Sequence, residues 1–436
     1  MRHTPISVFS LVTALLLGLS SLLTTGTAQA ALQVEITEGV SGRIPIAIVP
    51  FGGSNGLPED MTTIINNDLG SSGFFDMLPR SDIAQTPSSA EQVNYGFWRG
   101  VGRDNVVIGQ ITPKGAGYSI RFDILDVYKG APLQSYTIEA PSADRLRATS
   151  HRIADVIFEK LTGLKGVFST RIAYVKSQGI GWNMKYELLI ADQDGHNPRP
   201  VVISEDTVMS PTWSPDGRRL AYVAFNSGKA HVYVLDLTTG QARSLTSRAG
   251  INGAPAWSPD GRKLAVTLSY SGNPDIYILD ASTGAIQQLT DSRAIETEPS
   301  WSPDGSKMLF TSDRGGNAQL YEMSVNGGNA RRVTFEGSSN QRGTYSPDGR
   351  YIAMVRSDQG SYRIAVMDTT SGAIDILSEG RLDESPSFAP NGQMIIYTRS
   401  DGRRTELATV SVDGKVKRRL RENGDVREPA WSPVIP

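Results

Sequence analysis

The sequence predicts an α/β N-terminal domain followed by an all-β six-bladed β-propeller, and three observations lead there. A short aromatic-Ser-Pro-Asp-Gly motif recurs at near-constant spacing through residues 213–433. The stretch before it has no such repeat and mixes strand-like with helix-like runs. The length, 436 residues, exceeds what one hydrophobic core usually organises.

The first thirty residues stand apart. Arg2 and His3 precede an apolar run from Val8 to Leu23 that closes on Ala28-Gln29-Ala30, the marks of a secretory signal peptide cut after Ala30. Thr13, Gly18, Ser20 and Ser21 interrupt the run, which is short for a membrane anchor, and no later segment is apolar for long enough to span a bilayer.

Residues 31–165 are expected to form the α/β domain. Ile44-Pro-Ile-Ala-Ile-Val-Pro-Phe51 reads as a buried strand, and Pro58 opens a helix whose Met61, Ile64, Ile65 and Leu69 share a face. Further strands are expected at Asn105 to Ile111, Tyr118 to Val127 and Gln134 to Ala140. A second helix, from about Ala143 to Leu161, turns Leu146, Ile153, Ile157, Phe158 and Leu161 inward. Gly163-Leu-Lys-Gly166 marks the boundary.

Residues 166–436 are expected to form the propeller. The motif begins at Trp213, Trp257, Trp301, Tyr345, Phe388 and Trp431, spacings of 44, 44, 44, 43 and 43 residues, which is the period of a four-stranded blade. The copy at Trp431 supplies only a first strand before Pro436, whereas residues 170 to 203 show three strand-like runs with no motif ahead of them. The C-terminal strand is therefore expected to complete the first blade and remove the open edges of the array.

Composition narrows the function. A net charge of -2 with 20% charged residues leaves no large basic patch, so nucleic acid is not an expected ligand. The absence of cysteine excludes disulfides, thiol chemistry and a lipoprotein anchor. Ser-Pro-Asp-Gly carries a hydroxyl and a carboxylate, yet its recurrence in blade after blade reads as turn chemistry: Pro presets φ, Asp bonds backbone amides and Gly takes the left-handed corner. The aromatic ahead of it reads as packing between neighbouring sheets. His151, His196 and His231 lie far apart without metal-ligand spacing, and read as ordinary surface or helix residues. A serine hydrolase, the natural rival because such propellers accompany peptidases, needs a Gly-x-Ser-x-Gly elbow that does not occur. A glycan-binding module is a third reading.

Within the repeat, constant positions mark scaffold and varying ones mark a site. Pro211, Pro255, Pro299, Gly343, Pro386 and Pro429 stand two residues before the aromatics, and a proline belongs on an edge strand, so the first strand of each blade is expected to line the central channel. Just before it the copies diverge: Met209-Ser210, Gly253-Ala254, Thr297-Glu298, Gln341-Arg342, Glu384-Ser385 and Arg427-Glu428, with Asn252, Glu296, Asn340 and Asp383 added, give the channel mouth a polar, mostly acidic character. Loops on a rigid ring suit binding, and solvated charges without a ligand are the alternative.

Several stretches taken together resemble the TolB family of the Tol-Pal system: Ile44 to Phe51, Leu57-Pro-Glu-Asp60, Phe158-Glu-Lys-Leu-Thr-Gly163, Asn252-Gly-Ala-Pro255, Thr297-Glu-Pro299, Thr311-Ser-Asp-Arg-Gly-Gly316 and Pro429-Ala-Trp-Ser-Pro433. The resemblance implies a non-enzymatic periplasmic component of a machine that maintains the outer membrane and acts in cell division. It implies that the propeller mouth binds the lipoprotein Pal, that the extreme N-terminus engages TolA, and that colicins use the same mouth in some members. The family's Pal-binding motif matches Thr297 and Glu298 with Asn252-Gly253-Ala254 beside them, and the other mouth residues Glu296, Arg342, Asp383, Glu384 and Arg427 join the expected Pal site. Ile251 departs from the polar residue expected in enterobacterial relatives. The TolA segment corresponds to about Leu32 to Gly42, with Leu32, Val34, Glu35, Ile36 and Thr37 as its contacts. Its apolar-polar alternation suits either a strand added to a partner's sheet or a strand within its own domain. No loop has EF-hand ligand spacing, and no cofactor or metal is expected.

Overall fold

A computed structural model of the chain describes residues 32–36, 42–179, 183–420 and 424–435. The expected signal peptide and Thr37 lie outside them.

The N-terminal domain is one five-stranded sheet, ordered Phe75–Met77, Ile44–Ile48, Asn105–Lys114, Gly117–Asp126, Ala131–Ala140, parallel at its first two pairings and antiparallel after. Helices Met61–Ser71 and Leu146–Thr162 cover one face, burying Met61, Ile65, Leu69, Leu146, Ile153, Ile157 and Phe158 against Ile46, Ile48, Phe122 and Ile124. The first helix starts three residues after Pro58, because Asp60 caps it: its carboxylate accepts from the Thr63 N–H at 3.1 Å. A short helix absent from the sequence reading, Tyr95–Gly100, covers the other face and buries Trp98 on Val49, Val106 and Leu125. Gly163 ends the long helix at φ 75, and the Asp155 carboxylate then holds the Phe168 and Ser169 amides at 2.7 and 3.1 Å, so the passage into the propeller is pinned.

Six antiparallel sheets follow. Blade one joins Asp425–Trp431 to Arg171–Gln178, Lys185–Asp192 and Arg199–Ser204, with Trp431 opposite Ile172, so the C-terminal strand closes the ring as expected. Blades two to six have inner strands Val208–Trp213, Asn252–Trp257, Glu296–Trp301, Ser339–Tyr345 and Glu384–Phe388, each at one edge of its sheet. These inner strands surround a channel of about 630 Å³ lined by Pro211, Pro255, Pro299, Pro386 and Pro429.

The repeated turn does structural work. In four blades the motif serine (Ser214, Ser258, Ser302, Ser346) accepts from the amide five residues on at 2.9 Å, while the aspartate two residues later accepts the serine hydroxyl and a further amide. Hydrogen bonds from Ser302 and Ser306 lower the Asp304 pKa to about 2. The motif aromatic links blades: the indole N–H groups of Trp213 and Trp301 donate to the carbonyls of Ala430 and Ala256 in the preceding blade, at 3.1 and 3.0 Å.

The N-terminal domain sits at the end of the ring that carries these turns. Asn391 donates to the Lys165 carbonyl at 2.8 Å, Arg147 pairs with Asp192 and Asp194 of blade one, and Gln193 reaches Asp68. His151 is therefore not a surface residue: it is buried between the domains, with Nδ1 2.6 Å from Asp68. Burial opposes the imidazolium charge, but Asp68, and Asp194 beyond it, lift the His151 pKa to about 9. A raised folded pKa makes this contribution complete below about 6.5, the unfolded value, and lost as pH climbs through about 9. Between pH 7 and 9.5 the melting temperature is expected to fall more in the native protein than in His151→Gln, by about 2 °C or more. Parallel pH profiles of the two proteins in differential scanning calorimetry would refute this.

Candidate functional site

Among the described residues, the contacts between the N-terminal domain's sheet and helices and the ring fall at the turn end, and toward the opposite end each inner strand is broken by a β-bulge. The register of pairing shifts between Met209 and Thr212, Gly253 and Ala256, Thr297 and Ser300, Gln341 and Thr344, Glu384 and Ser387, and Arg427 and Ala430. At the bulge stand Ser210, Ala254, Glu298, Arg342, Ser385 and Glu428, all left-handed, with φ between 47 and 56. Non-glycine residues avoid this conformation, the more so before proline, and strain of this kind gathers at functional sites. The ring offsets the strain in part by bonding the bulge amides of Glu298, Arg342 and Glu428 to Thr267, Thr311 and Thr398 of the preceding blade, at 3.3, 3.1 and 2.8 Å.

Three of the six bulge side chains are charged. Glu298 accepts from the Thr311 hydroxyl at 2.9 Å and the Arg342 amide at 3.0 Å, and its other oxygen takes the Arg342 guanidinium at 2.8 Å. Arg342 also reaches Ser385, and Glu428 accepts the Ser210 amide. Burial works against the Arg342 charge, yet Glu298, Glu428 and Glu384 hold its pKa above the ordinary value. The result is a half-buried polar belt at the channel opening, with Arg342 held between carboxylates and Glu298 and Arg342 23% and 36% exposed.

The expected mouth residues divide. Ala254, Thr297, Glu298, Arg342, Glu384 and Arg427 lie half-buried at this rim. Asn252, Glu296, Asn340 and Asp383 do not form an exposed polar lip: all four are buried and bonded to protein groups close by, Asn340 donating to the Glu336 carbonyl at 2.7 Å. Asn252 accepts from the Arg248 amide and donates to its carbonyl, at 3.0 and 2.6 Å; Glu296 pairs with Arg314; Asp383 accepts the Gly380 amide at 2.9 Å. Their polarity is used to hold loop amides and a neighbouring guanidinium out of water, which a sequence does not distinguish from solvated charge. Ser210, Ser385 and Glu428, which stand among the diverging positions of the mouth but outside the expected Pal contacts, also belong to the belt; the signal that singles them out is their shared position directly before proline.

The segment Leu32–Ile36 is a strand, but it does not join the sheet of its own domain. It runs antiparallel along the outer strand of blade six, Val416–Leu420, with Leu32 opposite Leu420 and Ile36 opposite Val416. A blade's outermost strand offers an unpaired row of amides and carbonyls, and the segment covers it. Among the described residues one group has ligand atoms close enough for a metal, those of His151, Asp192 and Asp194 within 4.8 Å of one another. Arg147 already supplies the positive charge there.

Family models match both parts of the chain: the TolB amino-terminal domain over residues 32–133 and the TolB beta propeller domain over residues 158–435. The chain belongs to the TolB family. Its similarity to the Tol-Pal system protein TolB of Methylococcus capsulatus is 59% identity over 413 residues, covering 94% of this chain and 96% of that one. The TolB of Xanthomonas euvesicatoria is 48% identical over 436 residues, 98% of each. The crystal structure of TolB from Acinetobacter baumannii superposes with a TM-score of 0.85 at 40% identity, over 92% of this chain and all of that one. A nidogen/laminin complex, at 10% identity and a TM-score of 0.51 over 61% of this chain, shares the propeller fold alone.

Proposed function

We propose that this chain is a non-enzymatic docking component of the Tol-Pal system in the periplasm, reached by an N-terminal signal peptide. It binds Pal at the free rim of the propeller and TolA through its N-terminal segment, and so supports outer-membrane integrity and envelope constriction during division. The observation that carries this reading is the belt of Glu298, Arg342, Ser385 and Glu428 on strained backbone at the open end of the ring, in a family whose named members are Tol-Pal proteins. The rim carboxylate of Glu298 accepts three hydrogen bonds from within the chain, an arrangement for presenting a fixed surface rather than for transferring protons.

Titration calorimetry with lipid-free Pal and with the C-terminal domain of TolA tests the reading directly, and the absence of heat with both would overturn it. For the second partner, deleting residues 31–42 is expected to abolish TolA binding while Pal affinity stays within about twofold of the native value, because the segment lies on the outer edge of blade six, at the opposite side of that sheet from the inner strand that carries the belt. Undiminished TolA affinity in the truncated protein would remove the segment from the interface.

A further inference from the structure

We propose that Asn55, in the loop between strand Ile44–Ile48 and helix Met61–Ser71, is a site of spontaneous deamidation in the folded protein, where a carboxamide becomes a carboxylate and part of the chain is rerouted through the side chain. Asparagine followed by glycine is the step at which this chemistry runs fastest, because a residue without Cβ leaves its amide nitrogen open to approach the preceding carboxamide. The chain has five such steps: Asn55-Gly56, Asn252-Gly253, Asn326-Gly327, Asn391-Gly392 and Asn423-Gly424. Asn423 lies outside the described residues. The other four are alike in sequence, and the fold separates them.

Three are held. Asn252 is 1% exposed; its carboxamide oxygen accepts from the Thr246 hydroxyl and the Arg248 amide, and its nitrogen donates to the Arg248 and Gly250 carbonyls. Asn391 donates to the Lys165 carbonyl at 2.8 Å and accepts the Gln393 amide at 3.1 Å, while the Gly392 amide donates to the Ala389 carbonyl at 2.8 Å. Asn326 is exposed, but the Gly327 amide, whose nitrogen would have to attack, donates to the Ser324 carbonyl at 3.0 Å in the hairpin between Gln319–Ser324 and Arg331–Arg332.

Asn55 is exposed too, and among the described residues neither its carboxamide nor the Gly56 amide has a hydrogen-bond partner. One bond closes the turn, from the Leu57 amide to the Ser54 carbonyl, and at 3.3 Å it is longer than an ordinary N–H···O contact. Nothing stands within 4 Å of the place a Cβ would take on Gly56. The corner is therefore free to swing the Gly56 nitrogen toward the side chain.

The chemistry needs only water. The deprotonated Gly56 nitrogen attacks Cγ of Asn55; the N–Cγ bond forms, the Cγ–Nδ2 bond breaks, and ammonia leaves with a proton from solvent. Water then opens the resulting succinimide at either of its two carbonyls, giving aspartate or isoaspartate. The net exchange is ammonia for water, with no oxidation or reduction, and it adds one dalton and one negative charge.

The full-length protein is aged in warm, mildly alkaline buffer, once folded and once in guanidinium chloride, and its peptides are resolved by liquid chromatography and mass spectrometry, with the Asn55→Asp protein as the standard for the aspartate product. In the folded protein Asn55 is expected to react at least about fivefold faster than Asn326, the factor for one hydrogen bond that must first break, and faster again than Asn252 and Asn391. In guanidinium chloride the four steps are expected to converge, because the fold alone distinguishes them. The aged peptide is expected to contain a second species of the same mass as the standard but different retention, the isoaspartate form, and Asn55→Gln to abolish both. Asn326 keeping pace with Asn55 in the folded protein would overturn the proposal. So would an aspartate product alone, which marks direct hydrolysis without the succinimide, or a mass change that persists in Asn55→Gln and so belongs to Asn66 or Asn67.

Discussion

Reversing the charge at Glu298 is expected to weaken Pal binding by roughly 2 to 5 kcal/mol, the range for disrupting a charged group at the centre of an interface. Two effects add. Arginine in this position faces Arg342 where a carboxylate had stood 2.8 Å from it, and the Arg342 side chain, released from Glu298, no longer presents one fixed geometry. The same change should also lower stability, by roughly 1 to 3 kcal/mol, because the carboxylate ties the Thr311 hydroxyl and the Arg342 amide across two blades. Glu298→Gln separates the two contributions: it keeps an acceptor for the hydroxyl and amide and removes the charge, so stability should largely recover while affinity does not. Asp304→Ala is the matched control at the other end of the ring. It breaks the turn that binds Ser302 and the Ser306 amide, so it should lower the melting temperature yet leave the affinity of the folded fraction unchanged. Calorimetry showing Pal lost in Asp304→Ala and retained in Glu298→Arg would move the site away from the rim.

Removing residues 425–436 is expected to have the largest effect on folding of any local change. The deleted strand is the inner strand of blade one; without it Arg171–Gln178 becomes an open edge beside the channel. Trp431 is buried among Ile172, Tyr174, Ala389 and Met394, and its indole donates to the Thr170 hydroxyl at 2.8 Å. Trp431→Ala alone should cost about 3 to 5 kcal/mol, a large share of the stability of an ordinary domain. The truncated chain is therefore expected to lose its cooperative unfolding transition and its near-ultraviolet circular dichroism. A truncated protein melting within a few degrees of the native one would mean that the ring does not depend on this closure.

Local, repeated features were legible without the fold. Blade count, ring closure, the turn role of Ser-Pro-Asp-Gly and the placement of the proline strand at a sheet edge all follow from spacing and from the backbone habits of proline, glycine and aspartate, and these act within a few residues. The faces of the two long helices were legible for the same reason, since a 3.6-residue period is a local property. What the tertiary structure alone decided is where polar groups find their partners. Glu298 meets Arg342 one blade and 44 residues away, and His151 meets Asp68 across 83 residues. Asn252, Glu296 and Asp383 look like exposed polar groups in a sequence, and only the closed ring shows them buried on loop amides and a neighbouring guanidinium. The pattern of Leu32–Ile36 specifies a strand but not the sheet it joins, because any unpaired edge offers the same row of donors and acceptors; the folded ring settled the matter by leaving Val416–Leu420 as the edge within reach.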